Sequence, residues 1–230
     1  MHIDHRFRGP PQSGNGGYVA GLVAAPIGGS GCMVTLKLPP PLATGMELAR
    51  DGDAIRLIDD EALVALAEPA EIAIDVPPPP ALPIAEEASR RFAGFDEHVF
   101  PGCFVCGPER AEGDGLRIFP GPVGDAAGQV AALWVATADL ADEGGHVRPE
   151  FLWAALDCPG HFAVQPRSGP AVLGRIGVMI HGRPRAGEPL LVTGWPIASE
   201  GRKHQAGTAI HDRDGRLIAA ALATWISIRA

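Results

Sequence analysis

A chain of 230 residues that is 46% hydrophobic and 20% charged is long enough for one large or two small domains, and its make-up is that of a folded protein rather than a disordered one. A formal net charge of −8 and a pI near 5.4 argue against a nucleic-acid or anionic-membrane partner. No apolar run approaches membrane-spanning length, and residues 1–8 are polar and mixed in charge, so the expectation is a cytoplasmic protein.

In chain order, the glycine-rich turn at 13–17 feeds a short apolar helix over 18–25, which stops at Pro26 and the Gly28-Gly29 pair. Strand-like pieces follow at 33–38, 46–50, 54–58 and 62–67, with a proline corner at 39–41. Residues 77–102 change character: Pro77 to Pro80, Pro83, a short charged stretch and Pro101-Gly102 read as a linker or crossover. Beyond it, 115–119 and 129–137 read as strands, 139–146 as a loop, and 148–164 as a helix too uniformly apolar in its first turns for a surface position. Strands are expected at 172–181, 190–199, 203–211 and 217–228, the last two joined by a turn ending at Gly215.

The four cysteines, Cys32, Cys103, Cys106 and Cys158, are too few and too unevenly spaced for a disulfide framework, so reduced thiols are expected. Only Cys103 and Cys106 have metal-knuckle spacing. No second such pair and no close histidine pair completes a tetrahedral set, so neither a metal nor a cofactor is expected.

The second half repeats the plan of the first. Aligning the two helices without a gap places Tyr18 on Phe151, Val19 on Leu152 and Pro26 on Pro159, and points to an internal duplication with lobes at 1–76 and 103–230 around the linker 77–102. Asp157 falls on Ala24, so the acid is present on one side only. Asp157 has no cation beside it in sequence: if buried, it titrates abnormally or does chemistry, and if it reaches solvent it does neither. Pro159-Gly160 is expected to break or kink the helix just beyond it.

A long apolar helix gripped by an antiparallel sheet, made twice, resembles the double-hotdog members of the hotdog superfamily, chiefly acyl-CoA thioesterases. The pieces that carry the resemblance are the Cys103-to-Gly107 segment followed by Gly115-Leu-Arg-Ile118, similar to the entry of single-hotdog thioesterases of the phenylacetate-pathway type, then the acid-bearing Trp153-to-Asp157 segment and the closing hairpin after Gly215. The fold it implies is α+β: two antiparallel sheets, each wrapped around a central apolar helix.

The function it implies is hydrolysis of an acyl-CoA or other acyl thioester in lipid metabolism. Asp157 would be general base or nucleophile, and the helix start at Asn15, Gly16 and Gly17 would face it, the N–H of Gly17 or Tyr18 polarising the thioester carbonyl. Asn15 would bind ligand or cap the helix. His146 would lie beside the site, and cations such as Arg175 and Arg183 would meet the coenzyme A phosphates. Double hotdogs stand alone or assemble further, so a homo-oligomer is compatible. One departure matters: the long-chain enzymes pair their acid with a Thr and a Gln, whereas the matching positions here are Gly174 or Arg175 and Ala223. That keeps a second reading open, a non-catalytic acyl-binding protein. A hydratase fits less well, because the Asp142-to-His146 loop lacks the asparagine expected between those residues.

Overall fold

The computed structural model describes residues 1–29, 31–124 and 128–228. Helix α1 (Gly16–Ala24) is followed by strands β1 (Gly31–Leu36), β2 (Glu47–Asp51), β3 (Ala54–Asp59) and β4 (Ala62–Pro69). Then come α2 (Leu82–Arg90), β5 (Gly121–Pro122), β6 (Val130–Val135), α3 (Pro149–Ala155), α4 (Cys158–Ser168) and the long strands β7 (Ala171–Ile180), β8 (Pro189–Glu200), β9 (Lys203–His211) and β10 (Leu217–Ser227).

Where two sheets were expected, the described strands form one antiparallel ten-stranded sheet in the order β2-β3-β4-β1-β7-β10-β9-β8-β6-β5. The halves meet at β1 and β7, where Cys32 lies opposite Val178 and Val34 opposite Ile176. That pairing uses two edges that would otherwise present unpaired N–H and C=O groups. Helix α1 packs on β1, β4, β7 and β3, whereas α4 packs on β8, β9, β10, β7 and β6, so the two helices share β7 and otherwise cover different strands.

The two helical layers meet where α1 crosses α3, and small residues permit the approach. A Cβ on Gly17 would fall 2.6 Å from the Trp153 carbonyl oxygen, and one on Gly21 would fall 2.7 Å from the Glu150 Cα. Spaced four apart, these glycines lie on one face of α1. Tyr18 and Phe151, which the sequence alignment sets against each other, face each other with ring centroids 5.7 Å apart.

Two sequence expectations change in form. Residues 115–119 are not a strand; the segment runs beside the cysteine turn, with Leu116 N–H donating to the Phe104 carbonyl and Ile118 N–H to that of Val105, and Arg117 at φ +52° interrupts extended pairing. The stretch at 77–102 is more than a connection, because α2 buries Ala85 and Ala88 against Ala131 and Leu191. Pro83 sits in its first turn, where a missing N–H costs nothing.

Candidate active site

The helix carrying Asp157 breaks at that residue rather than after it. Pro159 has no N–H to give the Ala155 carbonyl, and its ring crowds the preceding turn, so the disruption falls upstream of the proline. Helix α3 ends at Ala155 and α4 starts at Cys158, with Asp157 between them at φ −77°, ψ −81°. The Leu156 carbonyl, freed by the break, accepts a 2.8 Å hydrogen bond from the hydroxyl of Thr208, a fully buried residue on β9.

Asp157 is 2% exposed. Its Oδ2 accepts from Asn15 Nδ2 at 2.8 Å and from Gly17 N–H at 3.0 Å, whereas Oδ1 has no partner among the described residues. Burial pushes its pKa up to about 7; the Gly17 N–H opposes the rise, nearby Cys103 adds to it, and the Asn15 amide opposes it. The result is a carboxyl anchored through one oxygen and open at the other. Asn15 caps α1 as expected, its Oδ1 accepting from Tyr18 N–H at 2.9 Å, while its amide holds Asp157.

These contacts redistribute the roles at the helix start. The N–H of Gly17 is committed to Asp157 and that of Tyr18 to Asn15, while the Gly16 N–H, one residue earlier, has no partner among the described residues. Tyr18 turns its ring away to stack on Phe7 at 4.2 Å. The missing β-carbon of Gly17 serves close packing on α3; that of Gly16 keeps clear of Leu173, 2.9 Å from where it would stand.

A cavity of about 800 Å³ opens between these elements, with Asn15, Gly16, Asp157, Leu173, Phe162 and Trp225 in its wall. Cys103, Cys106, Cys158, His98 and His161 line it too. A pocket of this size with mostly apolar walls and a few converging polar groups is the ordinary form of a small-molecule site.

The structure brings Asn15, Gly16, Gly17, Tyr18 and Asp157 together, and it leaves three other expected residues elsewhere. Arg175 is exposed on β7, donating to the Thr35 hydroxyl at 2.9 Å. Arg183 is spent on the loop before α3, donating to Asp142 Oδ2 at 2.5 Å and to the Val147 and His146 carbonyls. His146 lies in that same loop, its N–H donating to Asp142 Oδ1, and none of the three lines the cavity. Among the described lining residues the lysine or arginine is Lys37, which is not among the cations the sequence analysis singled out.

Fold and site together define an α+β hotdog-type protein with a buried acid at the wall of an apolar cavity, facing the N-terminus of a neighbouring helix. Comparison with solved structures agrees on the fold. A provisional thioesterase from Novosphingobium aromaticivorans DSM 12444 superposes with a TM-score of 0.61 at 13% identity, covering 100% of this chain and 94% of that one. A provisional thioesterase II from Thermobifida fusca YX gives 0.61 at 14% identity over 95% of this chain and 89% of its own. A thioesterase superfamily protein gives 0.50 at 23% identity over 64% and 69%. The chain therefore shares the fold of these proteins. No protein-family model and no curated protein matches it.

Proposed function

We propose that the protein is a thioester hydrolase of the double-hotdog type, with Asp157 as the reacting acid. The observation that carries this reading is the state of that carboxyl: Oδ2 is fixed by two N–H donors, and Oδ1, unpartnered among the described residues, belongs to a side chain lining an apolar cavity. A buried polar atom without a partner is costly, and such atoms collect where they are used.

The chemistry follows from that placement. With an acyl thioester in the cavity, Oδ1 takes a proton from water as the water oxygen attacks the acyl carbon. The Gly16 N–H, at the positive end of α1, is the donor for the oxygen that gains charge. Collapse breaks the carbon–sulfur bond, the proton passes from Asp157 to the departing thiolate, and acid, thiol and carboxylate result. Direct attack by Oδ1 on the acyl carbon would use the same geometry through an anhydride that water then opens. The general-base route suits a carboxylate already anchored by Asn15 and Gly17, since its reacting oxygen need not move. An acyl-CoA would present its phosphates to Lys37 rather than to Arg175 or Arg183.

The experiment is free-thiol release from short, medium, long and aromatic acyl-CoAs by the wild type and by Asp157→Asn. The amide is isosteric, so turnover falls by about 10²- to 10⁴-fold with the thermal midpoint nearly unchanged. Activity retained in the variant removes Asp157 from the mechanism. Acyl-CoA binding without turnover in either protein replaces the hydrolase by an acyl-binding protein.

A further inference from the structure

Three cysteines from two separate pieces of chain converge beside Asp157. Cys103 and Cys106 come from the turn that follows Pro101-Gly102, and Cys158 from the first turn of α4. All three are buried, their sulfurs lie within 4.8 Å of one another, and those of Cys103 and Cys158 are 3.7 Å apart. A buried thiol behaves as a small apolar group and has no need of others, so packing alone does not explain the cluster. Zinc–thiolate bonds of about 2.3 Å in a tetrahedron place neighbouring sulfurs about 3.8 Å apart, so the Cys103–Cys158 pair already has the required edge.

The turn itself is built tightly. Gly107 N–H donates to the Cys103 carbonyl at 2.9 Å, and a Cβ on Gly107 would meet both the Cys103 and Pro101 carbonyl oxygens at 2.5 Å. A side chain at 107 would displace the backbone that carries Cys103.

His98 fixes what the fourth position is. Its Nε2 lies 3.3 Å from Cys106 Sγ, close enough to invite assignment as a ligand. Its Nδ1, however, accepts the Phe100 N–H at 3.0 Å, so in the neutral ring the proton sits on Nε2 and is directed at the sulfur. A nitrogen carrying a proton cannot also bind a metal. His98 is therefore placed as an N–H donor to a coordinated thiolate, the kind of outer contact that orients a ligand and tempers its charge.

We propose that Cys103, Cys106 and Cys158 bind a soft divalent cation, zinc by the chemistry of the donors, with His98 behind Cys106 and the fourth position open to the cavity that all three cysteines line. The site ties the 98–107 segment to α4 at the residue that follows Asp157. It goes beyond the hydrolase reading and does not depend on it, because binding is read without turnover.

The test uses the full chain, reduced and freed of metal by chelation, then titrated with cobalt(II). One cobalt per chain is expected, with a thiolate-to-metal charge-transfer band and the strong visible bands of tetrahedral coordination. Cys32→Ser, altered away from the cluster on β1, gives the same spectrum, whereas Cys106→Ser loses about a third of the charge-transfer intensity. X-ray absorption on the zinc form shows three sulfurs and one lighter atom without an imidazole pattern. His98→Gln keeps that set while weakening zinc binding about 10- to 100-fold. A reduced protein with four free thiols and no cobalt band overturns the proposal, as does a Cys103–Cys158 disulfide that re-forms in the presence of zinc. An imidazole pattern overturns the open fourth position.

Discussion

The two helices that the sequence alignment sets against each other differ at one place. Helix α1 runs unbroken from Gly16 to Ala24 and ends in small residues, whereas its counterpart splits into α3 and α4 at Asp157. At the intact end the residue matching the acid is Ala24, 7% exposed, and the helix start opposite it is Arg148 followed by Pro149, with no side-chain cap and no N–H at the proline. At the broken end stand Asp157, an asparagine cap and a helix start with N–H groups to give. One architecture thus yields a candidate site at one end and plain packing at the other. The break is what turns a buried side chain toward the neighbouring helix.

The sharpest way to test that difference is to apply the same strain at both ends. Gly17→Ala and Gly21→Ala each drive a methyl group into the α1–α3 seam, the first 2.6 Å from the Trp153 carbonyl and 2.7 Å from Asp157 Cβ, the second 2.7 Å from Glu150 Cα. Overpacking of this kind costs about 1–3 kcal/mol, against which the better helix propensity of alanine returns at most about 1 kcal/mol. Both variants lose stability in denaturant titrations. Only Gly17→Ala also loses about 100-fold in thioester turnover, the usual result of moving a reacting group by an ångström. Equal loss of turnover in both would mean that the seam as a whole, rather than its Asp157 end, governs the site.

A smaller effect is expected from the support of the break itself. Thr208→Val leaves the Leu156 carbonyl buried without its donor, at a cost of about 1–3 kcal/mol, whereas Thr193→Val removes a buried hydroxyl that has no partner among the described residues and is neutral or stabilising. Because Leu156 precedes Asp157, Thr208→Val also lowers turnover, by about tenfold, and Thr193→Val leaves it alone. Thermal midpoints and thiol-release rates of the pair decide the matter. A neutral Thr208→Val would mean that the break stands without its hydroxyl.

What the sequence made legible follows the range of the forces involved. A strand was expected at 203–211, before a turn ending in glycine, and β9 is found there, while the helix expected at 18–25 is α1, Gly16–Ala24. These are local signals. Asp157 was legible because an unpaired acid in an apolar run is conspicuous wherever the run folds. Proline punctuation hid α2, since Pro77 to Pro80 and Pro83 read as interruption although Pro83 occupies a first turn. The cysteine cluster was hidden for a different reason: Cys158 lies on another element from the Cys103 turn, and no spacing rule connects them. Likewise the choice of Gly16 over Gly17 as the free N–H donor depends on which of them Asp157 takes, which is a tertiary fact. Arg175 and Arg183 were chosen for charge alone, and charge says nothing about the side of a strand or the loop that claims it.

The histidines shifted by burial fall in the linker and the second lobe. His98, His161 and His211 all lie beyond residue 97, and burial lowers the pKa of each. His211, at the end of β9, is 3% exposed, its Nδ1 has no partner among the described residues, and neighbouring Asp212 opposes the fall only in part. Its folded pKa is therefore below the ordinary value of 6.5. As pH drops through that value the unfolded chain takes up a proton that the folded chain refuses, so stability is full above it and declines until the folded histidine also titrates. Asp157, with its pKa raised to about 7, gains stability from the same acidification, so the quantity to read is a difference: the thermal midpoint of His211→Asn should respond less unfavourably to acidification in that window than that of the wild type. An unchanged slope would place the acid sensitivity with groups other than His211, such as the half-buried His98 and His161 that line the cavity.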